Sequence, residues 1–216
     1  MPKRGGDGGN VETPSFTSRA EAPETAAAIT EQFRGQFEGV IGSTLPQDVE
    51  FIITQPARRR PDLPGAGWVE GAYPGRVYLS WPALRWRPED IGIVLHELGH
   101  VATLQSGLAS YGPASSWVHE GLADYLKFRL LDEMPPQPQP GRPIRRGYIA
   151  DPISGGYVAG ARFFFWMEQT FPGSVHDFAS QITAGRTSDV AAYWATGSGI
   201  DELRKRYYDE SKTWPN

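Results

Sequence analysis

The feature that most constrains this chain is a polar stripe on a helical segment that is otherwise apolar. Residues 88–106 have a helical pattern that is hydrophobic around most of its circumference, through Ile91, Val94, Leu95, Leu98, Val101 and Ala102. The remaining stripe holds His96 and His100, which are four residues apart and therefore lie on one side of the helix. Two imidazoles placed in this way can bind one metal ion, and Glu97 between them completes an HExxH sequence typical of zinc sites. The sequence thus predicts a mostly buried helix that carries half of a metal centre.

A zinc site needs a third protein ligand, and a second helical pattern over residues 114–131 supplies the candidates. Glu120 and Asp124 are four residues apart on this otherwise apolar helix, where two carboxylates are costly unless a cation or strong donors meet them. We favour Glu120 as the third ligand and Asp124 as the acceptor for an imidazole N–H. His119 is the rival ligand, about 100° round the helix from Glu120. A solvated acidic stripe on this helix, with no metal, is the other interpretation.

Composition excludes several other classes of protein. The chain has 216 residues and no cysteine, so disulfides, thiolate metal ligands and cysteine nucleophiles are excluded. The formal net charge is −4, which argues against a nucleic-acid-binding surface, and no apolar run is long enough to cross a membrane. No hydrophobic segment follows the basic residues near the N-terminus, so we expect no signal peptide in this form of the chain.

The order of the predicted elements indicates an α+β fold. Residues 1–20 are predicted to form a flexible N-terminal arm, and residues 21–216 a single domain. The apolar pattern predicts a first helix over 22–40 and a small sheet made of strands at 49–54, 68–72 and 76–81. The later segments predict helices at 88–106, 114–131, 155–171, 174–184 and 199–212, interrupted by a proline-rich loop at 134–143. We therefore expect a small N-terminal sheet packed on a mostly helical C-terminal half.

Four stretches in order resemble the basic secretory protein family, within the gluzincin metallopeptidases. They are Val94–Val101, Glu120–Tyr125, Gly156-Tyr157 with Ala161–Phe163, and Thr196-Gly197 with Asp201–Leu203 and Tyr207. The resemblance implies a zincin-like fold, one zinc ion per chain and hydrolysis of peptide or protein substrates by an extracellular enzyme, which we expect to be a monomer. Two differences from the family pattern stand out: the chain is mildly acidic, and Arg204 replaces a tryptophan usual after the Asp-Glu-Leu stretch.

The residues and the resemblance predict the same chemistry. Zinc held by His96, His100 and Glu120 would polarise the scissile carbonyl and lower the pKa of its water, with Glu97 as the general base. We expect Tyr157 to donate a hydrogen bond to the oxyanion, because tyrosine is a usual donor for this role and Tyr157 lies in a stretch shared with the family. The strand at 76–81 occupies the place of the exposed edge that pairs with an extended substrate in zincin-like folds, and the resemblance implies that role; an ordinary sheet strand is the equally open alternative.

Two other functions fit the same residues. One is a non-catalytic protein that binds peptides or glycans on a zincin scaffold, in a defence or interaction role. Against it, relatives that have lost activity typically lose the base or a ligand, whereas the HExxH residues and Glu120 are all present. The second is a zinc hydrolase of non-peptide amides, which only substrate profiling would distinguish.

Overall fold

The computed structural model describes residues 14–55, 67–69, 75–104, 116–136 and 157–211. This part of the chain contains eight helices and a three-stranded sheet, which confirms the α+β class. The strands are β1 (Glu50–Thr54), β2 (Gly67–Val69) and β3 (Arg76–Ser80). The helices are α1 (Ala22–Ile41), α2 (Trp81–Trp86), α3 (Gly92–Leu104), α4 (Ser116–Leu130), α5 (Tyr157–Thr170), α6 (Ser174–Thr183), α7 (Ser188–Thr196) and α8 (Ile200–Ser211).

The sheet has the order β1-β3-β2, with β1 parallel and β2 antiparallel to β3. The prediction that the strand at 76–81 is an exposed edge is therefore wrong, because β3 is hydrogen-bonded on both sides. Alternating buried positions were compatible with either place in a sheet, since period-2 alternation shows which face is buried but not which strands are neighbours. Among the described strands, β2 is the edge on one side and β1 the edge on the other.

Six of the eight helices match predicted ones to within a few residues, and α2 and α7 were not predicted. The segment of α2 begins with Trp81-Pro82, which resembles the end of a strand followed by a turn, yet proline fits well in a first helical turn. The nine-residue α7 is defined at its ends: Thr187 accepts a hydrogen bond from the Val190 N–H, and Gly197 ends the helix with φ of 79°. The caps of α7, rather than a long apolar pattern, define where this short helix begins and ends.

Part of the predicted N-terminal arm is packed. Residues 1–13 lie outside the described part of the chain, but Phe16 is buried in the core and its N–H donates to the Pro88 carbonyl at 2.8 Å. The packed chain therefore begins before residue 21, because a single aromatic anchor was enough to fix it. Most of the predicted proline-rich loop also lies outside the described residues.

Small residues let the three central helices approach one another closely. Where α3 meets α4, a Cβ added to Gly99 would lie 2.8 Å from the Ala123 Cα. Where α4 meets α5, a Cβ on Gly121 would lie 2.8 Å from the Gly160 Cα. Backbones in such contact fix the relative position of the helices to within a few tenths of an ångström. In the described residues, no helix combines the length and hydropathy that a membrane span requires.

We predict that Gly121→Ala lowers the free energy of unfolding by about 1–3 kcal/mol, because the new methyl group meets the α5 backbone rather than a flexible side chain. Urea denaturation of the metal-free protein measures this without a contribution from metal binding. Gly39→Ala is the matched control. It lies in α1 with nothing within 4 Å of the added Cβ, so it should stabilise by about 0.5–1 kcal/mol. Equal effects of the two substitutions would contradict the close helix contact.

Candidate metal centre

Helix α3 presents two imidazoles side by side. Its apolar residues face the core, and His96 and His100 lie on the remaining stripe with about 13% of each side chain exposed. Their Nε2 atoms are 3.2 Å apart and the rings meet edge to face. The spacing of four residues produces this arrangement, because side chains one turn apart project in nearly the same direction.

Helix α4 brings a carboxylate to the same place. The Oε2 atom of Glu120 lies 3.3 Å from the His96 Nε2 and 3.5 Å from the His100 Nε2. This oxygen is buried and meets neither imidazole in good hydrogen-bond geometry, so proximity to the rings alone does not satisfy it. The sequence placed these three residues together, and in the described residues they are the group arranged to hold a metal ion.

The three donor atoms fit a zinc ion. Zinc binds nitrogen and oxygen ligands at about 2.0–2.2 Å with tetrahedral angles, so two ligand atoms should lie about 3.3 Å apart. The separations of 3.2, 3.3 and 3.5 Å among the two Nε2 atoms and Oε2 match the edges of such a tetrahedron. Three protein donors leave its fourth corner for a water molecule or a substrate atom.

A buried ion pair orients the first histidine. The Nδ1–H of His96 donates to Oδ1 of Asp124 at 2.8 Å, which orients the ring so that Nε2 faces the other two donor atoms. The same Oδ1 accepts a hydrogen bond from Nζ of Lys127 at 2.7 Å. The stem of Lys127 reaches this oxygen across Gly92 of α3, where an added Cβ would lie 3.1 Å from the Lys127 Cδ. Lys127 was not predicted, although it lies one turn beyond Asp124 on the same helix.

The charges of these groups depend on one another in the metal-free protein. Burial alone would lower the pKa of His96, but the hydrogen bond to Asp124 and the carboxylate of Glu120 outweigh burial and raise this pKa to about 9. Burial opposes ionisation of Glu120, yet the neighbouring His100 and His96 hold its pKa far below the usual range. The pKa of Asp124 is lowered in the same way, against burial, by His96 and Lys127. Two ionised carboxylates therefore flank an imidazole that binds its proton more tightly than usual.

Glu97 lies beneath the edge strand. Its side chain is buried, and burial raises the pKa of its carboxyl group despite the opposing effect of His100 and His96. The backbone of Gly67 in β2 lies directly against it, since an added Cβ would be 2.9 Å from Oε1 of Glu97. The other oxygen, Oε2, is buried with no hydrogen-bond partner in the described residues. Glu97 is thus a buried carboxyl group on the same helix as the two histidines, and nothing in the sequence around Gly67 indicated its contact with β2.

His119 is separate from the group of three donors. Its side chain is buried, and burial lowers the pKa of the imidazole to about 4, so it is neutral at physiological pH. It precedes Glu120 on α4 and therefore faces a different direction. The geometry favours Glu120 over His119 as the third donor.

Tyr157 begins α5 beside the metal centre. Its ring stacks on the His96 ring, with centroids 5.8 Å apart and planes 15° from parallel. The residue has φ of 36°, in the left-handed region that side chains other than glycine rarely adopt. Such strain is characteristic of functional positions, and about 46% of the residue is exposed.

A family comparison covers this centre. Residues 84–207, more than half of the chain, match the model of the BSP family, described as a peptidase of plants and bacteria. The chain therefore belongs to the basic secretory protein family, as the four sequence stretches predicted. The match includes both donor-bearing helices and Tyr157, but it begins after the last strand of the sheet. No curated protein and no solved structure shows a significant match.

We predict that Asp124→Ala weakens zinc binding by about 10–100-fold without abolishing it, because His96 loses the acceptor that orients its ring. Competition with a chromophoric chelator measures the dissociation constant. Glu120→Ala is the control for loss of a donor and should reduce zinc retention further. His119→Ala should retain zinc. Metal loss in the His119 variant together with retention in the Glu120 variant would reverse the choice of third ligand.

Proposed function

We propose that this protein is a zinc-dependent peptidase of the gluzincin type with a zincin-like fold. The observation that carries the proposal is the triangle formed by Nε2 of His96, Nε2 of His100 and Oε2 of Glu120, whose edges match tetrahedral zinc. The family's description as a peptidase supports the same reaction. A short sheet with an antiparallel edge strand over the HExxH helix supports the zincin-like assignment.

Zinc bound to these three residues would supply Lewis acidity, which polarises a carbonyl group and lowers the pKa of a water molecule. Glu97 is the residue that takes a proton from the water molecule as the water oxygen attacks the carbonyl carbon. Its buried carboxylate has a raised pKa, which makes it a better proton acceptor than an exposed glutamate. The same carboxyl group then gives the proton to the amine nitrogen as the C–N bond breaks. Asp124 keeps His96 in the tautomer that leaves Nε2 available throughout.

Tyr157 is the proposed hydrogen-bond donor to the developing oxyanion. Negative charge forms on the former carbonyl oxygen, and a phenol placed beside the donor triangle can share it. The stacking of Tyr157 on His96 supports this role, because it places the phenol ring against a metal ligand rather than in the core.

The edge of β2 is the proposed binding site for the substrate backbone. The backbone of Gly67 touches Glu97, so a peptide paired with β2 would bring one of its own carbonyl groups close to the base. An extended peptide that adds a strand at a sheet edge is recognised mainly through its main chain. This favours a polypeptide substrate over a small amide.

The test is Glu97→Gln, which replaces the base by an amide that cannot accept the proton. We predict that the variant keeps about one zinc per chain by elemental analysis and loses about 100-fold or more in turnover. Turnover is measured by digestion of casein or a peptide library, with and without a chelator.

Three results would contradict the proposal. A zinc-loaded wild-type protein that cleaves no peptide would favour the non-catalytic binding protein on the same scaffold. Near-normal turnover by a zinc-loaded Glu97→Gln variant would remove Glu97 from the mechanism. A wild-type protein that binds no zinc would overturn the metal centre itself.

For Tyr157→Phe we predict a fall in kcat of about 10- to 100-fold with little change in KM, because the hydroxyl acts on the transition state and not on the bound substrate. Zinc content and the unfolding curve should be unchanged, since one oxygen is removed from an exposed position. Tyr193→Phe is a matched control on α7, where the hydroxyl is exposed and removed from the metal centre. An unchanged kcat in the Tyr157 variant would leave the oxyanion donor unidentified.

A further inference from the structure

A row of large side chains crosses the outer face of the sheet and ends at the edge strand. Ile52 of β1 pairs with Tyr78 of β3, and Tyr78 pairs with Trp68 of β2. The Trp68 and Tyr78 rings are stacked, with centroids 4.9 Å apart and planes 2° from parallel. The inner face carries Phe51, Val77 and Leu79, which are buried in the core, so the row lies on the opposite side.

The row ends next to the catalytic base. Gly67 points inward and contacts Glu97, whereas its neighbour Trp68 points outward at the edge. In the described part of the chain, no strand pairs with the far side of β2. A strand added at this edge would therefore place every second side chain on the outer face, beside Trp68.

We propose that Trp68 is a specificity-determining residue that selects substrates with an aromatic side chain at one position close to the cleaved bond. This inference rests on the proposed peptidase function. The position is the substrate residue paired with Trp68, and it lies within about two residues of the scissile bond because Gly67, one residue away, contacts the base. The substrate side chain becomes the fourth member of the row formed by Ile52, Tyr78 and Trp68.

The physical basis is the cross-strand side-chain pair. Residues directly opposite each other on neighbouring strands have Cβ atoms about 4.5–5.5 Å apart, and aromatic pairs are among the most favourable. Trp68 is already held by its stack with Tyr78, so little rotamer freedom is lost when a substrate ring packs against it. A preference of about 3- to 10-fold for an aromatic residue over alanine is expected. Charged side chains at the same position gain no such contact.

The first experiment profiles the wild-type zinc-loaded protein. A cleavable parent peptide is varied to phenylalanine, alanine or aspartate at each of the two positions on either side of the cleaved bond. We expect one position at which phenylalanine raises kcat/KM about 3- to 10-fold over alanine, mostly through KM. Absence of an aromatic preference at all four positions overturns the inference, while cleavage itself sustains the proposed function. Absence of any chelator-sensitive cleavage contradicts the proposed function instead.

The second experiment assigns the preference to Trp68. Trp68→Ala should reduce the phenylalanine-to-alanine ratio to about 1, whereas a merely structural loss would lower cleavage of both peptides by the same factor. Trp68→Thr keeps a residue suited to a strand and replaces the alanine variant in this comparison if that variant does not fold. Trp68→Tyr should preserve much of the preference.

Trp194→Ala is the matched control. Trp194 is about 72% exposed on α7, which packs against α6 and α8, so its loss should leave the ratio unchanged. An unchanged ratio in both Trp68→Ala and Trp68→Thr would assign the preference to another residue and overturn the role of Trp68.

Discussion

The contact between Gly99 of α3 and Ala123 of α4 is the constraint on which the candidate metal centre depends. The donors of the proposed zinc site come from two helices, and tetrahedral coordination tolerates errors of only a few tenths of an ångström in their separation. A helix–helix distance set by ordinary side chains is 8–10 Å and varies with what packs between. Here the two backbones are in contact, since a Cβ added to Gly99 would lie only 2.8 Å from the Ala123 Cα. The distance between the helices therefore does not depend on side-chain rotamers. The Gly121 and Gly160 contact extends the same geometry to α5 and thereby to Tyr157.

Buried charge makes the two helices interdependent in a second way. A single oxygen of Asp124 accepts hydrogen bonds from the His96 ring and from the Lys127 ammonium group, and the carboxylate itself is buried. Removing one partner of such a group leaves a charge in a poorly solvated place, which costs more than the pair contributes. The bond from His96 is the one that crosses between the helices, so separating α3 from α4 would cost Asp124 one of its two partners.

Sequence patterns predicted those parts of the molecule that depend on local spacing. The i, i+4 relations of His96 with His100 and of Glu120 with Asp124 follow from helix geometry, and long apolar patterns located six helices. Features that depend on which distant segments meet were not predicted. The central place of β3, the contact of Gly67 with Glu97 and the reach of Lys127 across Gly92 all join residues far apart in sequence. The short helices α2 and α7 were missed because nine residues or fewer carry too little periodicity.

The contact between β2 and Glu97 joins a segment outside the family match to one inside it. The family match runs from residue 84 to 207 and so contains the candidate ligands, the base and Tyr157, while the strand that covers the base comes earlier in the chain. If Trp68 selects substrates as proposed, a change in this earlier segment would alter selectivity and leave the residues proposed for bond cleavage in place. A relative with another residue in place of Trp68 would then catalyse the same reaction with a different peptide specificity. Selectivity and bond cleavage would then reside in different parts of the chain, outside and inside the matched segment respectively.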